Sequence, residues 1–216
     1  MTATAGSRST RAVATRELIL SAAERLFAEQ GVFAISNRQV SEAAGQGNNA
    51  AVGYHFGTKN DLILAIVNKH SLRIEESRAK VLSEVMGSTD VREWITCLVR
   101  PATLHMAELG TPSWYARFNA QVATDPTLRV LAYQETERVS PSLSPMVKGL
   151  GQAVAHLPPD IRTARGAMGR LLMTHMCAER ELQLASDDTA EATSWDDFGT
   201  DLIDAIAGLW TAPVTR

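Results

Sequence analysis

The side chains able to do chemistry in this sequence are few and widely spaced. Arg38 and Gln39 stand together ahead of a short apolar run. A guanidinium can hold guanine O6 and N7 with two hydrogen bonds, and a carboxamide can hold adenine N6 and N7. The same Gln39 also fits a helix-capping role. Asn48-Asn49-Ala50-Ala51 places short side chains at a helix start, where free backbone N–H groups suit phosphate oxygens or base edges. The two asparagines equally suit a plain turn. Tyr54 and His55 can donate to an anion, or one of them can pack inward. Lys59 combines a cation with a helix N-terminus, and both favour negative charge. His175 and Glu179 share a helical face at i, i+4, but one such pair without a third ligand does not make a metal site. Cys97 and Cys177 read as small buried hydrophobes. No Ser/Cys–His–acid spacing, Gly-rich phosphate loop or metal cluster is present, so neither a cofactor nor an enzymatic activity is expected.

The elements that must position these groups are helical throughout. The chain has 216 residues, 45% hydrophobic and 21% charged, the mix of an ordinary globule with a substantial core. With 14 Gly, 8 Pro and 2 Cys it is neither collagen-like nor a disulfide scaffold. The net charge of −3 is unevenly spread: residues 1–60 carry six basic and four acidic side chains, leaving 15 basic and 20 acidic ones beyond. A mildly basic front thus precedes an acidic body, the balance of a small polyanion-binding head on a second module. No apolar run reaches the ~18 residues of a membrane helix, and the first ten residues lack the apolar core of a signal peptide. A cytoplasmic location and no membrane partner are therefore expected.

Residues 1–14 read as a flexible arm, from which Arg8 and Arg11 could reach a minor groove, although a plain tail is the simpler reading. From Thr15 the apolar set Leu18, Ile19, Ala22, Ala23, Leu26 and Phe27 marks one helical face, with Gly31 beyond its end. Ser36 to Gln39 has the pattern of a capping box opening a second helix. Gly45 ends it, and a third short helix spans about 48–56. Thr58 can cap a long fourth helix, and Asp90 a fifth that Pro101 must kink. A sixth lies near 113–123, and a seventh runs from Asp125-Pro126 toward Leu157, disturbed at Pro141 and Pro145. Pro158-Pro159-Asp160 opens the eighth. Residues 186–193 are a loop, and Ser194 opens the ninth. Phe27, Phe33, Val52 and Phe56 are expected in the core.

The segment Gly45–Leu62, with its Tyr54-His55-Phe56 and Thr58-Lys59 blocks, resembles the N-terminal DNA-binding domain of the TetR family of bacterial transcriptional regulators. The likeness extends back through Ala22-Ala23, Leu26-Phe27 and Gly31. It departs from the family pattern in one extra residue between Gly45 and Tyr54, and in Gly53, where many members carry an aromatic. The helical pattern gives an all-α chain of about nine helices, and the resemblance implies its division into a helix-turn-helix DNA-binding domain at 15–60 and an effector-binding and dimerisation domain at 61–216. It implies that Arg38, Gln39, Asn48, Asn49, Ala50, Ala51, Tyr54, His55 and Lys59 face a double-stranded operator. It also implies an effector pocket, for which the aromatic- and Met-rich set Trp94, His105, Met106, Trp114, Tyr115, Phe118, Gln121, Met173, His175 and Met176 is the candidate lining. The expected assembly is a homodimer through the eighth and ninth helices, with Leu171, Leu172 and Met176 on one and Leu202, Ile203, Ile206, Leu209 and Trp210 on the other. The expected function is a repressor released from a palindromic operator by a small, largely apolar ligand. Alternatives are a body that binds a protein partner, or a helical enzyme using His105 or His175 as general base.

Overall fold

The computed structural model describes residues 3–48, 50–186 and 194–215. Ten α-helices and no strand occur among them. The head consists of α1 (Ala3–Gln30), α2 (Asn37–Ala43) and α3 (Ala51–Phe56). Helix α1 begins at Ala3, so the stretch read as an arm is helical from that residue on, as suits its alanines. Gly31 at φ +94° ends α1, and its N–H donates to the Phe27 carbonyl. Ser36 caps α2 in a complete capping box with Gln39, and Thr58 does the same for α4 (Lys59–Val85) with Asp61. Val32 and Ile35 fill the head core, whereas Phe33, expected inside, is 71% exposed in the turn after Gly31.

The body continues with α5 (Val91–Leu109), α6 (Tyr115–Thr124), α7 (Pro126–Val139), α8 (Leu143–Ala153), α9 (Pro159–Ser186) and α10 (Trp195–Thr211). The single seventh helix expected from the sequence is two helices, α7 and α8. Pro141 lacks an N–H and drives Ser140 out of helical geometry, to φ −122° and ψ 79°. Pro145, by contrast, sits in the first turn of α8, where no intrahelical donor is needed. Pro101 lies inside α5, which remains one helix around it. The loop expected at 186–193 falls outside the described residues beyond Ser186.

Helix α5 packs between α4, α8 and α10, and α6 lies on α1, α7 and α9. One apolar core runs from Phe27 and Val52 in the head to Phe118, Ile203 and Ile206 in the body, so head and body are joined through shared packing. Two buried arrangements fasten the long helices. Glu181 of α9 accepts hydrogen bonds from the Ala116 and Arg117 N–H groups at the start of α6, from the Ser113 hydroxyl and from Arg117 Nε. Arg165 of α9 donates to the Trp210 and Ala212 carbonyls at the end of α10. An anion thus meets a helix N-terminus and a cation a C-terminus, each in its favourable field.

Candidate nucleic-acid interface and ligand cavity

The outward face of the head is built by short side chains and caps. Arg38 is exposed at the start of α2, its Nε 2.8 Å from Glu42 Oε1, and that pairing raises its already high pKa. Gln39 is exposed, but its Oε1 accepts from the Ser36 N–H and hydroxyl, which leaves the amide –NH2 as its outward group. Asn48 is exposed and its Oδ1 accepts from the Ala50 N–H, ordering the entry to α3. Asn49 lies outside the described residues. Ala50 is exposed, whereas Ala51 is buried and its methyl belongs to the head core. Tyr54 is 84% exposed, with the half-buried His55 ring edge-on at 5.0 Å. Lys59 turns inward: its ammonium donates to the Ile35 carbonyl and lies 5.6 Å from the Phe27 ring centre, and burial lowers its pKa. The face therefore presents Arg38, Gln39, Asn48, Ala50 and Tyr54, but not the Lys59 ammonium or the Ala51 methyl. Arg16, unnoticed in the sequence, donates from Nη1 to the His55 carbonyl at 2.7 Å and stacks over Phe56, fixing the end of α3 on α1.

The body contains a cavity of about 710 Å³, open to solvent on one side, within the size range of sites for small organic ligands. Its apolar walls include Val67, Ile74, Leu98, Met106, Tyr115, Val122, Met146, Leu150, Met173 and Trp210. Of the ten candidates only Met106, Tyr115 and Met173 line it. Trp94 is buried elsewhere, its ring against Gly149 and its Nε1 donating to the Ser88 carbonyl. Phe118 stacks on Phe27 at 6.2 Å in the core between head and body. Trp114 donates from Nε1 to Glu29, and Gln121 is exposed near Gly31. His175 and Met176 are exposed on α9. Arg78, Arg129, Arg162 and Arg170 line the cavity, and no carboxylate does among the described residues, although the body as a whole is acidic.

Between cavity and head lies a buried polar chain. Glu24 of α1 is 3.0 Å from His70 Nε2 on α4, and His70 Nδ1 is 2.8 Å from His105 Nε2 on α5. Tyr115, a cavity wall residue, stacks on His70 at 3.9 Å. A carboxylate at Glu24 assigns the proton to His70 Nε2; His70 Nδ1 then accepts from His105 Nε2–H. His105 Nδ1 is left as a buried lone pair without a partner among the described residues. Protonating it would create an uncompensated buried charge, and burial followed by the neighbouring His70 lowers the His105 pKa to about 4. No group of three or more possible metal ligands occurs among the described residues, and none of the described helices is long and apolar enough to cross a membrane.

Residues 19–66, which span the end of α1 through the start of α4, match the bacterial regulatory proteins of the tetR family. The head of this chain is thus a tetR-family domain. The chain's similarity to the HTH-type transcriptional repressor AcnR of Corynebacterium glutamicum is 36% identity over 76 residues. That match covers 35% of this chain and 38% of the relative, so it spans well under half the length of either protein. A TetR-family regulator from Streptomyces coelicolor A3 aligns over 92% of this chain and 96% of its own, at 22% identity and a TM-score of 0.42. The matched segment coincides with the three-helix head, and the cavity lies wholly outside it. The cavity arginines and the Glu24–His70–His105 chain have no local sequence signal. Their members stand on different helices and meet only through packing.

Proposed function

We propose that this chain is a transcriptional repressor that binds a palindromic operator as a homodimer and leaves it when a small molecule fills the body cavity. The observation that carries the reading is the coincidence of the tetR-family match at residues 19–66 with a three-helix head whose outer face offers Arg38, Gln39, Asn48, Ala50 and Tyr54. Helix α3 enters the major groove, and the start of α2 lies against the adjoining backbone and base edges.

The second copy docks on α9 and α10. The exposed Met168, Leu171, His175 and Leu182 follow one another at spacings of 3, 4 and 7, one face of α9 opposite the face that lines the cavity. Leu202, Ile203, Ile206 and Trp210 of α10 are buried within the protomer, so that helix contributes its exposed Ala205 and Gly208 and the half-buried Leu209. A two-fold contact of this kind is self-complementary and leaves both heads free.

Ligand and operator are coupled through α4, which runs from the head to the cavity wall at Val67, Ile74 and Arg78. Tyr115 touches both the cavity and His70, and His70 holds Glu24 on α1. A ligand that displaces Tyr115 or α4 moves the heads away from the spacing of one DNA turn, roughly 34–36 Å or a multiple of it. An enzymatic reading with His105 or His175 as base finds no support, since neither lines the cavity and His175 points outward from α9. The test is operator affinity at fixed salt with and without a small molecule shown by calorimetry to occupy the cavity. A coupling of about 1–3 kcal/mol weakens operator binding roughly 5- to 150-fold, and operator weakens ligand binding by the same factor. Equal affinities in both arms would sink the reading.

A further inference from the structure

Among the described residues the cavity walls carry Arg78, Arg129, Arg162 and Arg170 and no Asp, Glu, Lys or His. This runs against the surroundings, because residues 61–216 hold 15 basic and 20 acidic side chains. Arg78 is 6% exposed, and its Nε and Nη1 are buried without a hydrogen-bond partner among the described residues. The Glu75 carboxylate forms a loose ion pair at 3.8 Å from Nη1, while its hydrogen bonds are accepted from the Ser142 N–H and hydroxyl. Arg162 likewise has a buried Nε without a partner. An unsatisfied guanidinium in an apolar interior is costly unless an anion completes it. Here such a group borders a space large enough to bring that anion in. Arg129 and Arg170 are exposed wall residues, so positive charge also marks the cavity's solvent side.

We infer that the cavity takes an amphipathic anion, a molecule with an apolar body and a carboxylate or phosphate head, and that Arg78 holds the head. The inference rests on the reading of the cavity as a ligand site, and it adds a charged head to the small, largely apolar ligand expected from the sequence. The aliphatic walls accept the body of the ligand, and the planar guanidinium presents paired N–H donors to the head.

The test is calorimetric titration of the full-length chain, without DNA, with decanoate, decyl phosphate, decanol and decyltrimethylammonium. At least one anion should bind about tenfold or more tightly than decanol, as a charge-assisted hydrogen bond requires, and the cation should bind weakest. The tighter of the two anions identifies the head. Arg78→Met should abolish the anion preference while leaving decanol binding within about twofold, because Met keeps the apolar stem. If Arg78→Met does not fold, Arg78→Lys keeps the charge, loses the fork and should lower the affinity for the preferred anion severalfold. Decanol binding as tightly as both anions would overturn the inference, as would a preference unchanged in the folded Arg78 variant. Anion binding that leaves operator affinity untouched keeps this inference and sinks release by ligand. Release by decanol without any anion preference does the reverse.

Discussion

Arg38 stands exposed on the surface, paired with Glu42, on a helix whose cap does not use it. Arg38→Ala should therefore spare stability and lower operator affinity roughly tenfold or more, with specificity relaxed at one base pair if the guanidinium reads a base edge. Thermal melts and binding to operators changed at single positions check both halves. His105 makes a different kind of prediction. Its environment is set by His70 of α4, Glu24 of α1 and Tyr115 of α6, with the charges of Arg73 and Lys69 further lowering its pKa. With a folded pKa of about 4 against an ordinary 6.5, the unfolded chain binds more protons than the native one between those values. Stability is then fully present above about pH 6.5 and falls as pH drops through the window, by about 3 kcal/mol at its acid end. Urea unfolding at pH 7 and pH 4.5, with and without His105→Leu, checks this: the variant should lose most of the pH-dependent difference. The exposure of Arg38, Gln39, Asn48 and Tyr54 was legible in the sequence because caps and exposed turns are local. Ala51, Lys59 and most of the aromatic candidates were not. Helical spacing says which residues share a face but not whether that face meets core, cavity or solvent.

At the scale of the elements, caps and glycines were readable and close packing was not. Ser36, Thr58, Asp90, Asp125 and Ser194 all accept hydrogen bonds from the first turns of the helices they open, as their residue types imply. The division of α7 from α8 was missed because Pro141 and Pro145 look alike in sequence, and only their positions relative to the turn separate them. Gly149 and Gly151 on α8 show the same limit. A Cβ on Gly149 would lie 2.2 Å from the Trp94 ring, whereas one on Gly151 would meet nothing within 4 Å. Gly149→Ala should cost about 1–3 kcal/mol by overpacking, while Gly151→Ala should be neutral or stabilise by up to about 1 kcal/mol; paired thermal melts decide it. Glu181 is a second such fastening, 2% exposed and hydrogen-bonded to the start of α6 and to Arg117. Glu181→Ala should lower the unfolding free energy by about 3–5 kcal/mol, because Arg117 and two helix N–H groups lose their partner. A denaturant midpoint unchanged from wild type would contradict that role.

For the whole molecule, release from an operator requires two copies held by α9 and α10 with both heads turned to one DNA duplex. The interface should respond to the outward stripe of α9 and not to the inward residues of α10. Leu171→Glu, on an exposed side chain, should give folded monomers by light scattering, whereas Ile206→Glu should unfold the protomer whose core it occupies. A folded dimer surviving charges at both Leu171 and Leu182 would move the contact elsewhere. The most direct measurement is selection of DNA from a random pool by the full-length chain at fixed salt, followed by binding of the enriched sequence to wild type and to an Arg38→Ala/Tyr54→Ala variant shown to be folded. The account predicts a palindrome with half-sites one helical turn or a multiple apart, bound by the variant at least about tenfold more weakly. Enrichment of no such sequence, or equal affinity of the two proteins for it, would contradict it.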